Sequence, residues 1–426
     1  MGSTDTPTCP FANLLDPSLI AEGIPEHEFA KVREAGPAVK LEDPITGIPY
    51  WAVTQKKGID FISMNNELFS SALRAATPME NPQEVVDNIL SRMFLNMDPP
   101  LNLEYRKLIR DIFLPGTVAT YRPKLEKIAQ EVIDRVIERG ECEFVEDIAA
   151  ELPLIAILEF FEIPGEERKQ FFDWTNAMFF ADDPEYAAQN REEVESNAVQ
   201  AGAEVFMYFM GLAAKWRGRP EKNLCTQLLN GAIRGEPVSD EDFAWICLML
   251  MSAGNESTRT AITHGMRNLI DNPDQYRRLQ ENPEMLDHAI EEMLRKNTSF
   301  LTMRRTATQD VTAPELDNAA IEKGDKIVMF YHASNNDPEL YGNDATQFDI
   351  ERPAKQSDFH ANLRSFGIGK HNCLGMHLAK LEMKVQFEEI LKRIDEPEFA
   401  GPVKYIQSYF VQGVRTMPIR FKKREI

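Results

Sequence analysis

Apolar residues recur at three- and four-residue spacing through most of the middle of this chain, which predicts helices that each bury one face. The pattern is plain over Tyr121–Arg139 and Glu151–Phe161, and Pro164-Gly165 separates two helices. Ser239-Asp240-Glu241-Asp242 reads as a helix start, a hydroxyl cap with an acid three residues on. The helix it opens, Phe243 to about Ile270, is apolar on every side through Met251, which marks it as buried. Near the amino end, Val39–Leu41 and Tyr50–Val53 flank the turn Asp43-Pro44-Ile45-Thr46-Gly47 and predict a hairpin. After residue 310 the pattern changes to short β pieces: Lys326–Phe330, Tyr405–Phe410 and Thr416–Phe421. Residues 1–20 read as a loose arm and 21–426 as one domain, mainly α with a minor β portion near the termini. No internal repeat or low-complexity linker divides it.

Between 165 and 215 lies a run of large apolar residues: Phe171, Phe172, Trp174, Met178, Phe179, Phe180, Phe206, Met207, Phe209 and Met210. Such a stripe is core material first. The chain has 426 residues, 43% hydrophobic and 27% charged, enough for a deep core. Its net charge of −21 argues against nucleic acid as a partner. Cys9, Cys142, Cys225, Cys247 and Cys373 lie far apart with no C-x-x-C pair, so they form no disulfide framework and suit a reducing cytoplasm. No run of 18 apolar residues and no signal peptide is seen, so no membrane anchor is expected.

Chemistry concentrates in Phe366-Gly367-Ile368-Gly369-Lys370-His371-Asn372-Cys373-Leu374-Gly375. One cysteine sits in a glycine-rich loop that runs into a helix, Leu374 to about Ile390. A sulfur placed there meets the first free N–H groups and the positive end of the helix dipole, which should lower its pKa and make it a good metal ligand. Gly369 lets the loop turn, and Gly375 keeps side chains away from any flat group above the sulfur. A buried structural cysteine ahead of a helix is the plain alternative. A second polar cluster interrupts the central helix: Ala253-Gly254-Asn255-Glu256-Ser257-Thr258. Polar residues in a buried helix are costly unless satisfied.

The spacing Phe-x-x-Gly-x-x-x-Cys-x-Gly resembles the haem-binding loop of the cytochrome P450 family, and the resemblance extends over roughly residues 25 to 422. It implies that Cys373 is the axial ligand of the iron of haem b, with thiolate donation favouring O–O cleavage. The Ala-Gly-Asn-Glu-Ser run is similar to the family's oxygen-activation motif. That implies Glu256 as the acid and Ser257 as the alcohol that organise water and deliver protons. Serine stands where threonine is usual, which keeps the hydroxyl and loses the methyl that fixes its rotamer. Thr258 is a possible substitute but points about 100° further round the helix. A kink with back-bonded hydroxyls is the alternative. The run from 165 to 215 corresponds to the family's mobile lid over the substrate.

Glu292-Met293-Leu294-Arg295 matches the family's Glu-x-x-Arg, with Arg352 as third member of a buried network that braces the loop beneath the haem. Phe366 and Gly375 flank the ligand. Arg106, Arg305 and His371, with Asn102 where many relatives carry histidine, match positions that hold the haem propionates. For the arginines, a solvated side chain is the alternative. By position, Leu95, Met249, Ser252, Ala253, Leu301 and Val411 should form the substrate pocket, with no charged residue among them. Arg106, Lys107, Arg110, Arg364, Lys370, Lys380 and Lys384 would gather on the cysteine side as a basic patch for an acidic ferredoxin. Scattered surface lysines are the competing account.

The expected function is that of a haem-thiolate monooxygenase inserting one oxygen atom from O₂ into a C–H bond of a hydrophobic substrate, steroid, terpenoid or fatty-acid-like. Electrons would come from a separate ferredoxin and ferredoxin reductase. The alternatives are a peroxide-driven or rearranging enzyme of the same fold, or an O-demethylase of a more polar substrate. A haem-based gas sensor is disfavoured, since no residues are left for an output domain.

Overall fold

The computed structural model describes residues 11, 13–43, 46–179, 191–221 and 223–425. Ser239 opens the longest helix among them as its sequence requires. Its hydroxyl accepts from the Asp242 N–H at 2.9 Å, and the Asp242 carboxylate accepts from the Ser239 N–H at 3.4 Å. The helix then runs unbroken over Asp240–Asp271, 32 residues and about 48 Å at the usual rise. It is the spine of the molecule. In chain order, the helices that frame the site are α1 (Leu101–Arg110), α2 (Arg168–Phe179), α3 (Arg191–Trp216), this spine α4, α5 (Leu286–Lys296) and α6 (Met376–Arg393).

Helix α3 packs on both α2 and α4, while α5 and α6 pack on the opposite part of α4. The apolar run of α2 and α3 is largely core: Phe171 and Phe209 are fully buried, and Phe206 meets Trp245 of α4 at a centroid distance of 4.7 Å. Met207, in contrast, is 64% exposed. Phe180 of that run, like Cys9, lies outside the described residues.

A sheet of five strands covers one side in the order β1-β2-β5-β4-β3: β1 (Val39–Glu42), β2 (Pro49–Val53), β3 (Phe69–Ser70), β4 (Thr302–Ala307) and β5 (Lys326–Phe330). The β1–β2 hairpin and β5 fall where the alternation placed them. Two expectations change. In place of Tyr405–Phe410 the strand covers only Lys404–Tyr405, and the last β piece splits into Val414–Thr416 and Pro418–Lys423. Further, Leu14 and Leu15 of the expected arm are buried against Leu41 and Tyr50, because β1 and β2 alone leave that sheet face uncovered. Among the described residues no helix is long and apolar enough to cross a membrane.

Candidate functional site

The cysteine loop is shaped by its glycines. Gly369 has φ +74°, and a Cβ there would stand 2.8 Å from the Ser63 carbonyl oxygen. The Phe366 C=O accepts from the Cys373 N–H at 2.9 Å, closing the loop on itself. Helix α6 starts at Met376, and the N–H groups of Gly375 and Met376 both donate to the Cys373 sulfur. Gly375 needs no special backbone angle (φ −78°), but a Cβ on it would project toward the sulfur, 4.0 Å away. Glycine there keeps the space beside the sulfur clear.

The Cys373 thiol is accessible, yet burial raises its pKa above the ordinary value. An atom that lines an internal void satisfies both statements. The expected lowering of the pKa does not occur in the metal-free chain. The two N–H donors and Arg106 favour the thiolate, but desolvation outweighs them. A bound cation, which inverts this balance, is what the donors await.

Behind the loop stands the Glu-x-x-Arg network. Arg295 donates from Nε to Glu292 Oε2 at 2.7 Å and from an Nη to Oε1 at 2.8 Å, both side chains being fully buried. Its remaining Nη reaches the carbonyls of Asn335 and Ala345, each at 2.7 Å. The Asn335 side chain then accepts from the Arg364 N–H and donates to the Ser365 hydroxyl, so the bracing extends into the loop. Arg352 joins through Nε at 3.3 Å from Glu292 Oε1.

Asn102, Arg106 and Arg305 converge on His371, two residues before the cysteine. His371 Nε2 lies 3.5 Å from Asn102 Nδ2, and Arg106 donates to the Asn372 carbonyl. Burial, with Arg305 and Arg106 beside it, pushes the His371 imidazole down to about 3, so it is neutral. Arg305, 3% exposed, donates to the Arg304 carbonyl at 2.7 Å, but its Nε–H finds no acceptor, and the buried Asn102 Oδ1 finds no donor. Arg304 instead pairs with Glu80 at 2.8 Å. Cationic and neutral donors beside the cysteine loop, with a buried and unpaired Arg305 Nε–H among them, fit a flat macrocycle that carries carboxylates.

On the far side, α4 opens. Met251 and Asn255 are fully buried, while Ser252 and Ala253 keep accessible surface, and a Cβ on Gly254 would meet nothing within 4 Å. Leu95 and Met249 are likewise partly accessible. Leu301 and Val411 are closed off, at 1% and 3% exposure, by the pairing of Leu301 N–H with the Phe410 carbonyl and the Phe300–Val411 bridge. Ser257 donates to the Ala253 carbonyl at 2.8 Å inside a continuous helix, so the back-bonded hydroxyl exists without a break. Thr258 turns the other way, onto Glu382 of α6. Glu256 is 1% exposed, and burial raises its carboxyl pKa.

The sequence reading passed over Arg259, whose Nη1 lies 3.4 Å from Glu256 Oε2. A signal was present: Glu256 and Arg259 repeat the spacing of Glu292 and Arg295. It also passed over Glu382, which only the packing of α6 on α4 brings to Thr258. Of the proposed basic patch, Arg364 is buried against Asp60, and Lys380 and Lys384 pair with Glu291 and Asp287. Lys107 and Lys370 remain exposed, as does Arg110, which lies 3.3 Å from Asp111, and Arg106 is half-buried.

The family model of cytochrome P450 matches residues 185–396. A linalool 8-monooxygenase of Pseudomonas putida is 31% identical over 413 residues, covering 96% of this chain and 98% of its own. The chain belongs to the cytochrome P450 family. A steroid C26-monooxygenase of Mycolicibacterium smegmatis is 30% identical, covering 95% of this P450 and 92% of its own length. Among solved structures, a Mycobacterium marinum cytochrome P450 in complex with pseudoionone superposes with TM-score 0.86 at 28% identity, over 98% of this chain and 100% of that one. One from Novosphingobium aromaticivorans gives TM-score 0.84 at 29% identity, covering 96% and 97%. This P450 is therefore an oxidoreductase of the monooxygenase class and a haem-thiolate enzyme, with a cysteine as the iron's ligand.

Proposed function

We propose that this P450 oxygenates an uncharged hydrophobic molecule of terpenoid, steroid or lipid type, with electrons from a separate ferredoxin and its reductase, in the cytoplasm. When bound, haem supplies the activation of O₂ and the attack on the C–H bond. Cys373 would hold the iron, Phe366 and Gly375 would flank the ring, and Arg106, Arg305, His371 and Asn102 would take the propionates. The observation that carries the reading is an accessible yet desolvated sulfur that receives two backbone N–H groups and has Arg106 beside it.

The chain's own residues divide the remaining work. Leu95, Met249 and Ala253 offer apolar surface that excludes water and favours an apolar ligand. Leu301 and Val411 back that wall from behind. Ser252 is its one hydroxyl. Burial raises the Glu256 carboxyl pKa and so favours proton uptake there, and the Ser257 hydroxyl positions the water that passes the proton on. Arg106, Lys107, Arg110 and Lys370 give an acidic carrier a local cationic face on a chain of net charge −21. Names among the relatives, a linalool and a steroid monooxygenase, support the substrate class.

The test is spectral. Terpenoids and steroids should convert low-spin iron to high-spin at micromolar levels, while sugars and amino acids should not. The reduced carbon monoxide complex should absorb at the red-shifted position of thiolate ligation, and Cys373→Ser should abolish that band. A response confined to small hydrophilic compounds would overturn the pocket reading. Product formed with peroxide alone, but not with ferredoxin and reductase, would overturn the electron route.

A further inference from the structure

We propose that Asn176 and Arg259 link helix α2 to Glu256, so that the position of this covering helix sets whether the acid holds its proton. The inference rests on reading Glu256 as the proton relay. It makes Arg259 and Asn176 positioning residues.

Glu256 and Arg259 lie one turn apart on α4, with side chains 1% and 6% exposed. A buried arginine and carboxylate at this spacing would ordinarily close to about 2.7–2.9 Å. Here Arg259 Nη1 stops at 3.4 Å, and Glu256 Oε2 has no hydrogen-bond partner. The same Nη1 is 2.9 Å from Asn176 Oδ1, across the gap on α2. One turn earlier on α2, the Phe172 ring lies 5.8 Å from the guanidinium carbon. Asn176 and Phe172 are thus contacts from α2 on a guanidinium that stops short of the acid.

Arg259, Asn176 and Phe172 also form part of the wall of a partly open cavity of about 180 Å³. Room for several waters exists there. Among the described residues, the other charged groups on its wall are Glu146 and Arg415, and Thr260 on α4 donates to the second Glu256 oxygen at 3.3 Å. Water entering this cavity would meet Arg259, which stands 3.4 Å from the acid. If α2 releases the guanidinium, it can close on Glu256 and fix it as a carboxylate. If a stronger acceptor on α2 withdraws it, the dry surroundings of Glu256 keep the proton on.

Infrared difference spectroscopy of the intact ferric protein, without substrate, tests this. The carbonyl band of protonated Glu256 is identified by its loss in Glu256→Gln and followed against pH. Asn176→Leu should move its midpoint down by about 1–3 units, the size of an opposite charge closing in. Asn176→Asp and Arg259→Gln should move it up. If Asn176→Leu does not fold, Asn176→Ala supplies the downward arm. A residue that merely supports the fold would shift the leucine and aspartate variants in the same direction, or neither, and either result overturns the link. If the opposite shifts appear while Glu256→Gln leaves turnover intact, the link stands and the relay reading falls. If the shifts are absent while Glu256→Gln cripples turnover, the reverse holds.

Discussion

Two glutamate–arginine pairs of identical spacing sit in neighbouring helices, and they behave oppositely. Glu292 and Arg295 meet through two hydrogen bonds of 2.7 and 2.8 Å, and Glu292 Oε1 also accepts from the Asp349 N–H at 3.1 Å. Glu256 and Arg259 stop at 3.4 Å, leaving Oε2 unpartnered. Burial does not separate the pairs, since both are nearly or fully enclosed. The other partners of each guanidinium do. Two carbonyls accept from Arg295 Nη1 while its Nε and other Nη stay on the acid, whereas Arg259 Nη1 lies closer to Asn176 than to its acid. An i, i+3 spacing says that two side chains can meet. The third partner decides whether they do, and so whether the pair closes or leaves a carboxylate oxygen unpartnered.

Breaking each pair should show this. Arg295→Leu would strand Glu292 in the interior and should cost about 3–5 kcal/mol, read by urea denaturation; an effect below about 1 kcal/mol would erase the contrast. Glu256→Gln should leave stability nearly unchanged but slow turnover by about 10²-fold or more, in the range of general acid–base catalysis. Steady-state product formation measures this.

Glu382 sharpens the comparison, because it is a buried acid beside the Thr258 hydroxyl with no ion pair among the described residues. Burial pushes its carboxyl up to about 8. A raised carboxyl means the folded state binds the proton more tightly than the unfolded chain. Its contribution is therefore fully present below the ordinary value of 4.5 and is lost as pH rises toward 8. Glu382→Gln should flatten that fall between about pH 4.5 and 8, as seen in melting temperature against pH. The smallest effect is expected from Ser257→Ala. Losing the 2.8 Å bond to Ala253 should cost about 1 kcal/mol at most. The ratio of product to reduced nicotinamide consumed should nonetheless fall, with peroxide released instead.

What could be read along the chain was local. The Ser239 cap, the glycine turn before Cys373 and the 292–295 pair each depend on neighbours within four residues, and each was legible. Strand β4 was not, although it carries Arg305: its six residues gain strand form only by pairing with β5 and β3. The tether from Asn176 to Arg259 joins residues 83 positions apart, and no periodicity announces it. Arg364 looked like surface charge because Asp60, its buried partner, is 304 positions away. The lowered thiol pKa was misjudged for a related reason, since desolvation is set by everything that packs around the loop.

Strand β2 pairs on one side with its hairpin partner β1, but on the other with β5 in parallel register, Tyr50 opposite Lys326. At ordinary rates of synthesis, about 5–20 residues per second, the ribosome needs roughly 15–55 seconds to deliver that partner. Throughout this interval β2 exposes a bare hydrogen-bonding edge to every other nascent chain nearby. Lys40 and Glu42 on β1 keep the hairpin's outer edge charged, while the waiting edge of Tyr50, Trp51, Ala52 and Val53 carries no such charge. The assembly of the catalyst is thus most vulnerable to aggregation before its iron-binding loop has been made at all.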